Sequence, residues 1–204
     1  MGYRSKHNTD YFTRIDTAEK AYWLGFITAD GCVTTLNRVK IMLSDGDVAH
    51  LRKFQRAVGS TNKIDRGRPG TAAVVLKAEE TVAALRSFGI GERKTCRVGP
   101  ANLPERLVPH FWRGVFDGDG CLNYDKANRR WRLALTGNRP LVDAFARYVQ
   151  ELCGYSSKVF YQGRAWRFFV SRKVAVKAVI RKLYEGAEPV LDRKMDSAHC
   201  ILSW

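Results

Sequence analysis

The chain has 204 residues, 45% of them hydrophobic, which is enough for one domain or two small ones with a sizeable core. Its 35 Lys and Arg outnumber 20 Asp and Glu, and the net charge of +15 predicts a polyanionic partner. No apolar run is long enough to cross a bilayer and no signal-peptide pattern opens the chain, so nucleic acid is favoured and a membrane is not expected. The five cysteines are odd in number and lack zinc-ligand spacing, which suits an intracellular reducing compartment: cytoplasm, nucleoid or an organelle.

Residues 1–15 carry Arg4, Lys6 and Arg14 and are expected to form a loose basic arm. Asp16-Thr17-Ala18-Glu19 is a capping-box pattern that starts a helix. That helix ends in Trp23-Leu24-Gly25-Phe26-Ile27-Thr28-Ala29-Asp30-Gly31, where Gly31 is expected to take the left-handed conformation and Cys32 to be small and buried. A strand pair follows, Cys32–Thr35 and Arg38–Ser44. In its second strand Val39, Ile41 and Leu43 share one face and Arg38, Lys40 and Met42 the other. A helix carrying Val48, Leu51, Phe54 and Val58 stops at Gly59. A second strand pair, Thr61–Arg66 and Thr71–Lys77, leads to a helix near Glu79–Phe88, and residues 99–108 form a connection.

The order then repeats over 109–204. Pro109 suits the first turn of a helix that ends Trp112-Arg113-Gly114-Val115-Phe116-Asp117-Gly118-Asp119-Gly120, with Cys121 and Gly120 expected to behave as Cys32 and Gly31 do. Strands Cys121–Tyr124 and Arg129–Thr136, a helix stopped by Gly154, strands Ser157–Gln162 and Ala165–Arg172, and a helix carrying Val176, Val179, Ile180 and Leu183 come next. Asp30 and Asp119 are 89 residues apart, Gly59 and Gly154 are 95 apart, and Arg93-Lys94 and Arg193-Lys194 are 100 apart, as small loop insertions in one of two copies would produce. Each copy, 16–98 and 109–204, therefore reads αββαββα. The fold class is α+β, with two antiparallel sheets covered by helices on one side and presenting a basic face on the other.

Both motif helices end in aspartate, at the negative end of the helix dipole, which calls for a compensating cation; a helix end also offers carbonyl oxygens, the ligands that hard divalent cations prefer. Gly25 and Gly114 cost about 1 kcal/mol each within a helix, a cost that close helix–helix approach would offset. Packing at these glycines would bring Asp30 and Asp119 side by side.

The paired motifs and the repeat behind them resemble the LAGLIDADG homing endonucleases over nearly the whole chain. Thr28 departs from the name motif, which has an acid there; Asp117 keeps it. The resemblance implies a single-chain, monomeric, pseudo-twofold enzyme, with motif helices at the centre of a basic saddle, that cuts both strands of a long DNA site and promotes intron mobility. Asp30 and Asp119 are the expected metal ligands, joined by the carbonyls of Ala29 and Gly118. Mg2+ is the expected cofactor, with Mn2+ or Ca2+ able to replace it for binding. In that family a lysine after the last helix of each half lies near the scissile phosphate, which marks Lys94 and Lys194. Strand alternation marks Arg38, Lys40, Lys63, Arg130, Arg132, Lys158 and Arg167 for DNA contact, and the turns add Arg66, Arg68 and Arg164. Double-stranded DNA is the expected partner. An RNA-splicing maturase acting on intron RNA and a non-catalytic DNA-binding regulator are the rivals, the first disfavoured by the retained acids and the second by the lack of room for a further recognition domain. The start at Met1-Gly2 favours a free-standing protein over an intein-borne one.

Overall fold

The computed structural model describes residues 6–92 and 98–204. Helix α1 (Ala18–Asp30) leads into β1 (Gly31–Thr34), β2 (Arg38–Ser44), α2 (Val48–Ala57), β3 (Thr71–Lys77) and α3 (Glu79–Ser87). Helix α4 (Val108–Asp119) leads into β4 (Gly120–Asp125), β5 (Arg130–Gly137), α5 (Arg139–Cys153), β6 (Phe160–Gln162), β7 (Ala165–Val170), α6 (Lys173–Tyr184) and α7 (Asp192–Ser203). The two sheets are antiparallel, ordered β1-β2-β3 and β4-β5-β7-β6.

Helices α1 and α4 form the centre. Gly25 lies against the Phe111 carbonyl, and Gly114 against the Tyr22 carbonyl, so closely that neither position has space for a Cβ. The flanking residues are aromatic and aliphatic and are buried almost completely, which anchors both sheets to one shared core. Val39, Ile41 and Leu43 point into that core from β2, and Leu133, Leu135, Phe168 and Val170 from β5 and β7. Helices α2 and α3 back the first sheet and α5 and α6 the second, so the basic strand faces point away from every helix that backs them.

Several local expectations are corrected. The α1 cap is Thr17, whose hydroxyl accepts from the Lys20 amide at 3.2 Å, while Asp16 pairs with Lys20 at 3.1 Å and Glu19 accepts from Tyr11. The cap is thus one residue later than a capping box would place it. Gly31 and Gly120 are extended, with φ of −73° and −81°, and pass directly into β1 and β4. Glycine is required there for space: a Cβ would strike Ile27 or Phe116 of the preceding turn. Cys32 and Cys121 are exposed on the strand faces rather than buried. Residues 6–15 are a packed segment, with Tyr11, Phe12 and Ile15 buried and the Asn8 amide bonded to the Val58 carbonyl.

The expected strand at 61–66 reduces to a single bridge between Asp65 and Ala73, which leaves the first sheet with three strands and the second with four. Lys63, Asp65, Arg66 and Arg68 surround one apolar residue, Ile64, and offer no apolar face to hold a strand down. Helix α7 was not anticipated. Among the described residues no helix is long and apolar enough to cross a membrane.

Candidate active site and basic face

The glycine crossing carries the carboxyl ends of α1 and α4 to one place. A Cβ on Gly118 would fall 2.5 Å from the Ala29 Cβ and 3.3 Å from the Asp30 carboxylate. The Asp30 carboxylate therefore packs against the residue that precedes Asp119. The Ala29 methyl packs against Gly118, so the two residues expected to supply carbonyl donors are neighbours across the crossing. Asp119 borders a cavity of about 600 Å3 together with Ala29, Cys32, Arg139 and Arg164. Among the described residues no group of three or more acidic, histidine or cysteine side chains is arranged to hold a metal ion. Two carboxylates with helix-end carbonyls would together offer hard oxygen donors and leave most of an octahedral shell to water and phosphate, the kind of set that suits Mg2+.

Lys194 occupies the first turn of α7 and reaches the end of α4. Its Nζ donates to the carbonyls of Phe116 at 2.7 Å and Gly120 at 2.5 Å and lies 4.9 Å from the Phe116 ring centre. Burial holds its pKa down to about 8, against the opposing pull of the Asp117, Cys121 and Asp30 charges; Arg193 adds to the lowering. It is a cation at the negative end of the helix that bears Asp119, as the dipole argument requires. It is also enclosed, 4% exposed, with two of its three N–H groups engaged. Lys94 lies outside the described residues.

A buried polar network that the sequence reading missed holds this corner together. Asp117, fully buried, accepts from the Tyr22 hydroxyl at 2.7 Å, the Tyr184 hydroxyl at 2.6 Å and the Leu191 amide at 2.7 Å. Burial pushes its pKa up, with the three hydrogen bonds and Lys194 pulling the other way. The Tyr22 hydroxyl also meets His50 Nε2 at 2.9 Å. Arg113, one turn before Asp117, donates to the carbonyls of Pro189, Leu183 and Glu188. Together these bonds pin the 188–191 turn, and hence Lys194, onto α4. At the position matching Asp117 the first half has Thr28, whose hydroxyl donates to its own helix at Leu24. The signal was present in the sequence as two charges spaced i, i+4 inside an apolar helix, where an unpaired charge would be prohibitive.

Five of the predicted contact residues lie on the helix-free strand faces, while Lys63 and Lys158, expected on strands, fall in loops. Arg38 and Lys40 project from β2, beside Lys77 of β3. Arg130 and Arg132 project from β5 and share Asp125 at 3.8 and 2.7 Å. Arg167 on β7 donates to Gln162 at 3.1 Å. Lys63, Arg66, Arg68, Lys158 and Arg164 are exposed in loops and turns, with Arg66 3.5 Å from Asp45.

No protein-family model and no curated protein matches the sequence. Solved structures do match. The LAGLIDADG homing endonuclease I-GzeII in complex with its DNA target superposes with a TM-score of 0.64 at 12% identity, over 90% of both chains. The LAGLIDADG meganuclease I-AabMI bound to uncleaved DNA gives 0.60 at 13% identity, covering 89% of this chain and 88% of that one. The LAGLIDADG homing endonuclease I-SmaMI bound to cleaved DNA gives 0.59 at 11% identity, covering 90% and 87%. The chain has the LAGLIDADG fold, and its two sheets form the saddle of that fold.

Proposed function

We propose that the protein is a site-specific DNA endonuclease, monomeric and acting in a reducing intracellular compartment, that makes a double-strand break by metal-dependent phosphodiester hydrolysis. The observation that carries this reading is the packing of the Asp30 carboxylate against Gly118, the residue before Asp119, at the end of the Gly25–Gly114 helix crossing and between two outward basic sheets. The solved structures with this fold include DNA complexes of homing endonucleases, which supports DNA as the partner.

In this reading Asp30 and Asp119, with the Ala29 and Gly118 carbonyls, hold the metal. A bound Mg2+ supplies Lewis-acid stabilisation of the phosphate and an activated water. Arg38, Lys40, Lys77, Arg130, Arg132 and Arg167 follow the duplex, some setting position through phosphates and others reading base edges. Lys194 keeps the α4 terminus closed and places positive charge beneath Asp119, and Lys94 is proposed for the matching role in the first half. The three-stranded and four-stranded sheets differ, so the site need not be a palindrome.

The test is cleavage of sites selected from a random duplex library in Mg2+, with RNA as competitor. Asp30→Asn or Asp119→Asn is expected to abolish double-strand cleavage while leaving binding largely intact. Either variant cutting at the normal rate would remove the ligand assignment.

A further inference from the structure

One patch of the basic face is apolar. Phe160 on β6 and Phe169 on β7 stack with ring centres 5.5 Å apart and planes 27° apart. The register places both on the outward side. Phe169 pairs with Ala134, whose chain neighbours Leu133 and Leu135 fill the core, and Phe160 pairs with Arg167, two residues from Phe169. Phe160 is 37% exposed, and the helices of this half back the opposite side of the sheet. In the first sheet the equivalent cross-strand pair is Met42 opposite Ala73, so the bulk sits on the other strand.

An exposed ring stacked on a half-buried one, on a strongly basic surface, gains by being covered with something apolar. Two rings are far too little for a stable protein interface. A duplex laid on this face presents its major groove, whose edges are donors and acceptors except for one apolar group, the C5-methyl of thymine. Resting on the DNA reading above, we infer that Phe160 and Phe169 form a thymine-methyl subsite that makes recognition by the second sheet depend on thymine. Arg167, held by Gln162 beside the rings, is placed to read a neighbouring base edge or phosphate. Met42 gives the first sheet a smaller apolar contact, so the two half-sites are read by different chemistry.

The test uses the full-length protein and duplexes selected from a random library without added metal. Each thymine in the selected site is replaced in turn by deoxyuridine, which removes only the methyl group, and affinity is measured by fluorescence anisotropy. The subsite predicts one or two thymines in one half-site at which wild-type affinity falls roughly fourfold per methyl lost. Phe160→Ala and Phe169→Ala should bind the thymine and deoxyuridine duplexes alike, whereas Met42→Ala should keep that discrimination. Phe160 is exposed and Phe169 half-buried, and far-UV circular dichroism of the variants verifies their folding. Indifference of the wild type to every such replacement would overturn the subsite, as would undiminished discrimination in the Phe variants. So would a Phe160→Ala defect seen only with single-stranded RNA, which would assign the rings to base stacking. Failure to select any duplex would instead count against the DNA reading itself.

Discussion

Replacing Gly114 by Ala should destabilise the protein although it swaps a poor helix former for the best one. Propensity alone would favour alanine by about 1 kcal/mol. In the structure the new Cβ would stand 2.7 Å from the Phe26 nitrogen and closer still to the Tyr22 carbonyl oxygen, both backbone atoms that cannot swing aside. Relief to an ordinary contact near 3.5 Å requires α1 and α4 to separate by roughly 1.5 Å. Overpacking of a close-packed core costs about 1–3 kcal/mol. With backbone atoms this close the top of that range applies, and after subtracting the propensity gain the net expectation is a loss of about 2 kcal/mol, which corresponds to a fall in Tm of about 4–8 °C for a chain of this size. The same displacement separates Asp30 from Asp119, and a misplacement of about 1 Å costs on the order of 100-fold in rate. Thermal melts and single-turnover cleavage would be measured beside Gly46→Ala, where the nearest atom to the new Cβ is the Ser44 hydroxyl at 3.9 Å. A Gly114→Ala protein as stable and as active as wild type would refute the claim that the helix crossing sets the site.

Acid should unfold the protein partly through His50. Its pKa is lowered to about 4, chiefly by burial, with Lys53 adding to the lowering and Asp192 and Asp47 opposing it. The folded state therefore stays neutral at His50 while the unfolded chain takes up a proton between pH 6.5 and about 4. Stability falls across that window, by up to about 3 kcal/mol, and levels off below it. His50→Gln should show a shallower pH slope in urea titrations; an unchanged slope would exclude His50 as the cause. Asp117→Ala leaves the Tyr22, Tyr184 and Leu191 donors without their acceptor, and at about 1–3 kcal/mol each the loss should exceed the relief of unburying a carboxylate, for a net fall of about 3 kcal/mol by denaturant titration. Equal stability of the two proteins would show that desolvation cancels the network. Cys32 and Cys121 follow the candidate acids on the open strand faces, so a bulky maleimide should label both and specific duplex should slow that labelling, while Cys200 on α7 stays reactive. Peptide mapping that finds no protection at Cys32 and Cys121 would move the DNA path elsewhere.

The repeat, the glycine–aspartate spacing and the strand alternation were legible because each is a local rule: a period of two on β2 and β5, a helix stop before each strand pair, an acid fixed relative to a glycine. Asp30, Asp119, Arg38 and Arg132 could be placed from those rules alone. Where the local signal is thin, the structure departs from the local rules. Residues 61–66 have strand-like residues but no apolar face, and 6–15 look polar although Tyr11, Phe12 and Ile15 are spaced to pack on the first half.

Amino-acid order by itself determined that two similar halves exist, that each offers a basic sheet face, and that each motif helix ends in an acid. Tertiary structure alone decided what joins the halves. The Asp117 network draws on Tyr22, Tyr184 and Leu191, up to 95 residues distant, and Lys194 reaches Phe116 across 78. No periodicity encodes such partners. A buried charge states only that it must be satisfied, and which donors come within 3 Å of it depends on how the helices cross.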